Sequence, residues 1–197
     1  MMTIEVTRMV EPDEWAWAEA IDMYARRYTI AKVTRREHED WVLDVSALMR
    51  GDTPDARGWR VNDPLAGELE RIDDPYYPFI ELPTGPVKAD ALSRRLHEIP
   101  RASAKKFLVA LSTSWLDVEK EQDFEERRVG LEAKADVILS RFPKGSLFFA
   151  NTGRDNENRD YYKHISGCNT ISQHVWDLGL FLVSDSEVGM VWSFHAW

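Results

Sequence analysis

Leu178-Gly-Leu-Phe-Leu-Val-Ser184, then Asp185-Ser-Glu187, then Val188-Gly-Met-Val-Trp-Ser-Phe194 is the stretch that decides the fold. The first run is apolar on both sides, as a strand in the middle of a sheet must be. In the second, Val188, Met190, Trp192 and Phe194 alternate with Gly189, Val191 and Ser193, the period of two that marks a strand. The short polar Asp185–Glu187 between them predicts a hairpin. Both strands lie in His164–Trp197, 34 residues without a single Lys or Arg, a composition that predicts a mostly interior segment.

Working towards the N-terminus, Ser146-Leu-Phe-Phe-Ala150 reads as another strand. Before it, Phe124, Leu131, Ala135, Ile138, Leu139 and Phe142 recur at helical spacing, and Asp123 with Glu126 has the pattern of a capping box, so residues 123–142 read as a helix ended by Pro143 and Gly145. Phe107–Leu111 is too short for its period to separate strand from helix, but Ser103 as a cap and Ala104-Lys-Lys106 favour a helix. A further helix should begin near Pro86, carry Val87, Ala91, Leu92, Leu96 and Ile99, and stop at Pro100. The proline-punctuated Asp74–Pro86 admits at most an edge strand over Phe79–Leu82, and Asp63-Pro64 can open a short helix carrying Leu65, Leu69 and Ile72.

In the first third, Thr34-Arg-Arg-Glu37 fits a capping box for a helix with Trp41, Val42, Val45, Leu48 and Met49 on its apolar face, ended by Gly51 in the left-handed conformation. Glu11-Pro-Asp-Glu14 should open a helix with Trp17, Ala20, Ile21, Tyr24 and Tyr28 at three- and four-residue steps, and Thr3–Met9 alternates like a strand. Helices first and strands last, without repeated β-α-β alternation, predict one α+β domain over residues 1–197: a helix-rich first two-thirds packed on a mainly antiparallel sheet with a C-terminal hairpin.

The chain of 197 residues carries a net charge of −9, with −7 in residues 1–99 and −2 in the remainder, and has eight Trp. That balance repels polyphosphate, so nucleic acid is a poor partner. The one local basic run, Arg26, Arg27, Lys32, Arg35 and Arg36, could meet a phosphate, an RNA or an acidic protein only against that field. Cys168 is the single cysteine, which rules out an internal disulfide and favours a reducing compartment. No apolar run approaches signal-peptide or membrane-span length. A cytoplasmic protein without a membrane association is the expectation.

Phosphate loops, dinucleotide fingerprints, zinc-protease helices, nucleophile elbows and EF-hand loops are all missing from the sequence, so no cofactor is expected. The most chemical stretch is His164 to Asp177, where Cys168 with His174 or His164, and Asn169 or Asp177 as orienting group, has the residue types of a thiolate–imidazole hydrolase or transferase. His164, Cys168 and His174 could also offer three ligands to zinc. Against both, a lone cysteine among apolar residues commonly serves as a small buried hydrophobe. Asn151–Asp160 is either a binding loop or a solvated connection rich in turn formers. Tyr76 and Tyr77 among prolines, together with Trp59, are aromatic anchors of the kind interfaces use. Combined with Asp52, Asp55, Asp73 and Asp74 they lead to the first expectation: a non-enzymatic acidic domain that binds a basic protein partner, as immunity and inhibitor proteins do.

Overall fold

A computed structural model describes residues 13–25, 28–53, 60–61 and 69–195. The hairpin forms as the sequence requires, from β5 (Asp177–Val183) and β6 (Glu187–Phe194), paired in antiparallel register from Asp177 opposite Phe194 to Val183 opposite Val188. β4 (Leu147–Ala150) joins the other side of β5, and the two-residue β3 (His97–Glu98) joins β4. On the far side of β6 lies β1 (Tyr28–Arg35), paired along all eight of its residues, and then the short β2 (Arg60–Val61). The sheet order is β2-β1-β6-β5-β4-β3, every neighbouring pair antiparallel.

Side-chain alternation assigns each face its own core. Ala31, Val33, Leu178, Leu180, Leu182 and Val191 pack under α1 (Glu14–Ile21), α5 (Arg101–Ala110) and α6 (Phe124–Ser140), with Trp17, Phe107, Leu131 and Phe142 filling the layer. Tyr28, Ile30, Phe181, Met190, Trp192 and Phe194 face the other way, against α2 (Val45–Arg50) and α4 (Pro86–Ser93). Both faces being covered explains why β5 is buried at every residue. The hairpin is clamped to the first layer by Arg141, whose Nε and Nη2 donate to the two Glu187 carboxylate oxygens at 2.9 and 2.8 Å while its guanidinium stacks over Trp17. Among the described residues no helix is long and apolar enough to cross a membrane.

Several expectations are corrected. The first helix does not run to Tyr28: it ends at Ile21, a 3₁₀ turn follows over Asp22–Tyr24, and Tyr28 opens β1. Residues 28–34 are rich in β-branched and aromatic side chains that pair with β6 over their whole length, and that long-range pairing overrides the local helical spacing. Thr34 therefore lies in a strand and caps nothing. The next helical segment starts later, as a 3₁₀ turn over Trp41–Asp44 whose Val42 amide is capped by the Asp40 carboxylate, with α2 continuing to the left-handed Gly51 (φ 73°). The helix from Pro86 stops at Ser93 instead of Ile99, because His97 and Glu98 are taken by β4, and Pro100 starts α5 rather than ending α4. Of the expected edge strand Phe79–Leu82 only a single bridge from Phe79 to Ser172 forms. Residues 107–110 are helical as expected; α6 forms too, although the Asp123 side chain makes no capping bond. Leu69 and Ile72 are exposed rather than buried on a helix face. The strand at 3–9 and the opening at Asp63-Pro64 lie outside the described residues.

Gly179 sits opposite Trp192 in the hairpin, and the indole lies flat over it: a Cβ placed there would stand 1.9 Å from the ring. Gly179→Ala is expected to lower stability by about 1–3 kcal/mol, as overpacking of a tight core does. Urea denaturation checks it; a wild-type midpoint would mean the indole moves aside freely.

Candidate functional site

The site is built from the first turn of β5 outward. Asp177 is fully buried, and its carboxylate is surrounded by donors. Oδ2 accepts from the Ser172 hydroxyl (2.5 Å), the Ser172 amide (3.0 Å) and the Ile171 amide (3.1 Å), while Oδ1 accepts from Trp192 Nε1 (2.9 Å) and Asn151 Nδ2 (3.1 Å). Burial pushes this carboxyl upward, and the bonds from Ser172, Trp192 and Ile171 pull against that shift. Asn151 closes the network by accepting the Gly179 amide and donating to the carbonyls of Asn169 and Asp177. In this way residues 169–174, which have no helix or strand of their own, are held on the end of the sheet.

What they hold is the proline turn. The amide of Ile80 bonds the Ile171 carbonyl, the amide of Gln173 bonds the Pro78 carbonyl, and Gln173 Nε2 donates to Asp74 at 2.9 Å. His174, its amide fixed by the Ser172 hydroxyl, sits among the rings of Tyr28, Tyr77 and Phe194 at centroid distances of 5.6 to 5.8 Å, with Nε2 3.3 Å from the Tyr77 hydroxyl. Burial lowers its pKa, which the carboxylates of Asp177 and Glu70 partly restore and the neighbouring His195 lowers again. Burial also pushes the Tyr28 phenol up to about 12. The Arg71 guanidinium pulls against that rise.

Over this aromatic floor stands α3 (Glu70–Asp73), a single turn with no buried residue. Leu69 and Ile72, three apart and so on one side of the turn, are 76% and 74% exposed, and Tyr76 and Val175 are 45% and 81% exposed. Glu70, Asp73 and Asp74 are interleaved with them. The turn itself is internally braced, since Asp74 accepts the Tyr76 amide at 3.1 Å and its carbonyl accepts the Tyr77 amide.

Of the residues singled out from the sequence, Asp73, Asp74, Tyr76 and Tyr77 are thus brought together. Asp52 is at the end of α2, paired with Arg50 at 2.9 Å, and no hydrogen bond or ion pair among the described residues joins it to the turn. Trp59 and Asp55 lie outside the described residues. Of the basic run, Arg26 and Arg27 lie outside the described residues, the Lys32 side chain is buried and donates to the Gly51 carbonyl, and Arg36 donates to the carbonyls of His38, Glu39 and Ser184. Asn151–Asp160 serves as structure, because Asp155 and Asn156 hydrogen-bond both polar groups of Glu98 and so cover the edge of β3, while the Ser103 hydroxyl meets Asn158 and Arg159.

Cys168 and the two histidines are not assembled into a thiolate pair. His164 Nδ1 is bound to the buried Asp117 at 2.8 Å, His174 faces Tyr77, and burial pushes the Cys168 thiol up to about 11. No group of three His, Cys, Asp or Glu side chains among the described residues is placed to hold a metal ion. Sequence reasoning missed Leu69, Ile72 and Val175 as surface residues and Trp115 altogether. For Leu69 and Ile72 the available signal was their setting among Asp, Glu and Pro, where a buried helix face is hard to complete.

The chain matches no protein-family model, no curated protein and no solved structure.

Two measurements check the electrostatics. In an NMR pH titration His174 should titrate below 6.5, whereas His38, bonded to the buried Asp44 at 2.6 Å, should titrate above it. The lowered His174 contributes stability that is present above 6.5 and lost as pH falls through its folded value; the raised His38 contributes stability present below 6.5 and lost as pH rises through its own. Iodoacetamide should alkylate Cys168 about a hundredfold more slowly than free cysteine at neutral pH, since only the thiolate reacts. A rate near that of free cysteine would show an activated thiol.

Proposed function

We propose that this chain is a non-enzymatic binding domain that docks a basic, amphipathic segment of another protein, in the manner of immunity or inhibitor proteins that neutralise a basic partner. The observation that carries the reading is the run of exposed Leu69, Ile72 and Tyr76 among Glu70, Asp73 and Asp74, with exposed Val175 two residues from Gln173, which bonds Asp74. Large apolar side chains grouped on a surface mark contact sites, and a carboxylate rim selects a cationic partner and speeds its approach. Tyr76 and Tyr77 offer area with little rotamer freedom to lose, the property of residues that anchor interfaces. The net charge of −9 weighs against nucleic acid. The lone Cys168, half-buried and unpaired, fits a reducing cytoplasm.

A fluorescent synthetic helical peptide with Arg on one face and Leu on the other is the probe. It should bind the wild type, bind less tightly as salt rises, and lose about tenfold in affinity on Ile72→Asp, the loss expected for an interface anchor. The substitution adds a negative charge, so a purely electrostatic attraction would instead strengthen. Unchanged or tighter binding by the variant would sink the proposed surface.

A further inference from the structure

We infer that Trp115 is the receptor for an arginine side chain of the partner, and that Lys120 fills that place in the free protein. The inference rests on the basic-partner reading above and adds a second anchor to it. Trp115 is 50% exposed, on the turn that follows α5. The next residue, Leu116, is 3% exposed and has φ 54°, a left-handed conformation that a residue as bulky as leucine adopts only where the surrounding packing imposes it. Burying Leu116 in the first core turns Trp115 outward. The turn is braced by the Leu116 amide on the Thr113 carbonyl and by the Ser114 amide on the Glu121 carboxylate.

The indole is stacked on His195 with ring centroids 5.3 Å apart and 29° between planes, and the Lys120 ammonium stands 5.7 Å from its centroid. That ammonium is also 3.9 Å from a carboxylate oxygen of Asp117, a buried acid whose other contacts are the Glu119 amide and His164 Nδ1. An aromatic face beside a fixed carboxylate is a cation receptor. Its present occupant is held loosely: the Lys120 side chain is 56% exposed, and its separation from Asp117 is long for a charge-assisted hydrogen bond. A guanidinium, planar and weakly hydrated, stacks on indole better than an ammonium and can reach the carboxylate with a second N–H. Arg is therefore the partner residue the receptor favours.

The receptor and the proposed surface adjoin the same end of the sheet, where Tyr28 and Asp177 both pair with Phe194. The His195 amide bonds the Trp176 carbonyl, the preceding Val175 is 81% exposed, and His174 begins the aromatic floor under Tyr77.

The test uses the same Arg/Leu peptide, by fluorescence polarisation, on the full chain. Lys120→Ala should bind it about two- to fivefold more tightly than wild type, the gain from vacating an exposed cation–π site. Lys144→Ala, an exposed lysine beyond the opposite end of the sheet, makes the same change in net charge and serves as the control. In a Trp115→Ala background the advantage of Lys120→Ala over Lys144→Ala should vanish. The inference is overturned if Lys120→Ala binds no more tightly than Lys144→Ala, or if its advantage survives the loss of Trp115. Should Ile72→Asp still weaken binding in that case, only the Trp115 receptor is lost; should Ile72→Asp also have no effect, or the wild type not bind at all, the docking surface is lost with it.

Discussion

A carboxylate with no exposure to water organises one whole end of this protein. Asp177 could not stay there without its donors, since an unpaired buried polar group costs several times what a made hydrogen bond contributes. Its five donors come from four places: the adjoining strand through Trp192, the end of β4 through Asn151, and two successive residues of the segment that follows the 151–160 loop. Each is positioned by the requirement to satisfy the same two oxygens. The hairpin register, the path of residues 169–174 and the seating of the proline turn are consequences of that one requirement. Trp192 binds it from above Gly179, so the packing of the second core and the polar network are fixed by the same ring.

The sheet is buried on both faces, unlike an antiparallel sheet with one wet side. Small residues decide which helix layer approaches which strand. On the α1–α5–α6 side, β6 presents Gly189, Val191 and Ser193, and Ser193 reaches the carbonyl at the end of α5. On the other side it presents Val188, Met190, Trp192 and Phe194 to the thinner layer of α2 and α4. Between residues 69 and 86 the described chain forms only turns and the single helical turn α3, and Pro75, Pro78 and Pro83 there prevent a longer helix. The apolar side chains of that region are left at the surface with acids around them. A surface of this composition is costly to keep in water unless something covers it.

The three readings of the His164–Asp177 segment are separated by burial and geometry rather than by residue type. A nucleophilic cysteine needs a base within reach and a positive neighbourhood; for Cys168, burial and the nearby Asp177 carboxylate keep the thiol protonated against the opposing pull of the Asp177 backbone amide. The histidines have other partners, His164 on Asp117 and His174 on Tyr77. What the segment does is brace an aromatic and acidic surface. Of that stretch, Ile171 and Ser172 donate to the Asp177 carboxylate, and His174 is fixed through the Ser172 hydroxyl.

From the sequence alone came the α+β class, the hairpin, α6, the helical state of 107–110 and the grouping of Asp73, Asp74, Tyr76 and Tyr77, because each rests on a local period or on neighbours in the chain. β1 was hidden in it. Tyr28 to Arg35 contains apolar residues at spacings that suit the end of a helix as well as a strand, and the choice is made by eight pairings with β6, some 160 residues away. For the same reason Thr34-Arg-Arg-Glu37 resembles a cap and is not one, and His97-Glu98 left the helix that precedes it. Trp115 could not be found by any periodicity, since its setting is made by His195 at the other end of the chain and by the backbone conformation of Leu116. Local spacing determines which segments can be helical or extended; strand pairing and the satisfaction of buried polar groups are long-range conditions, and only the folded chain meets them.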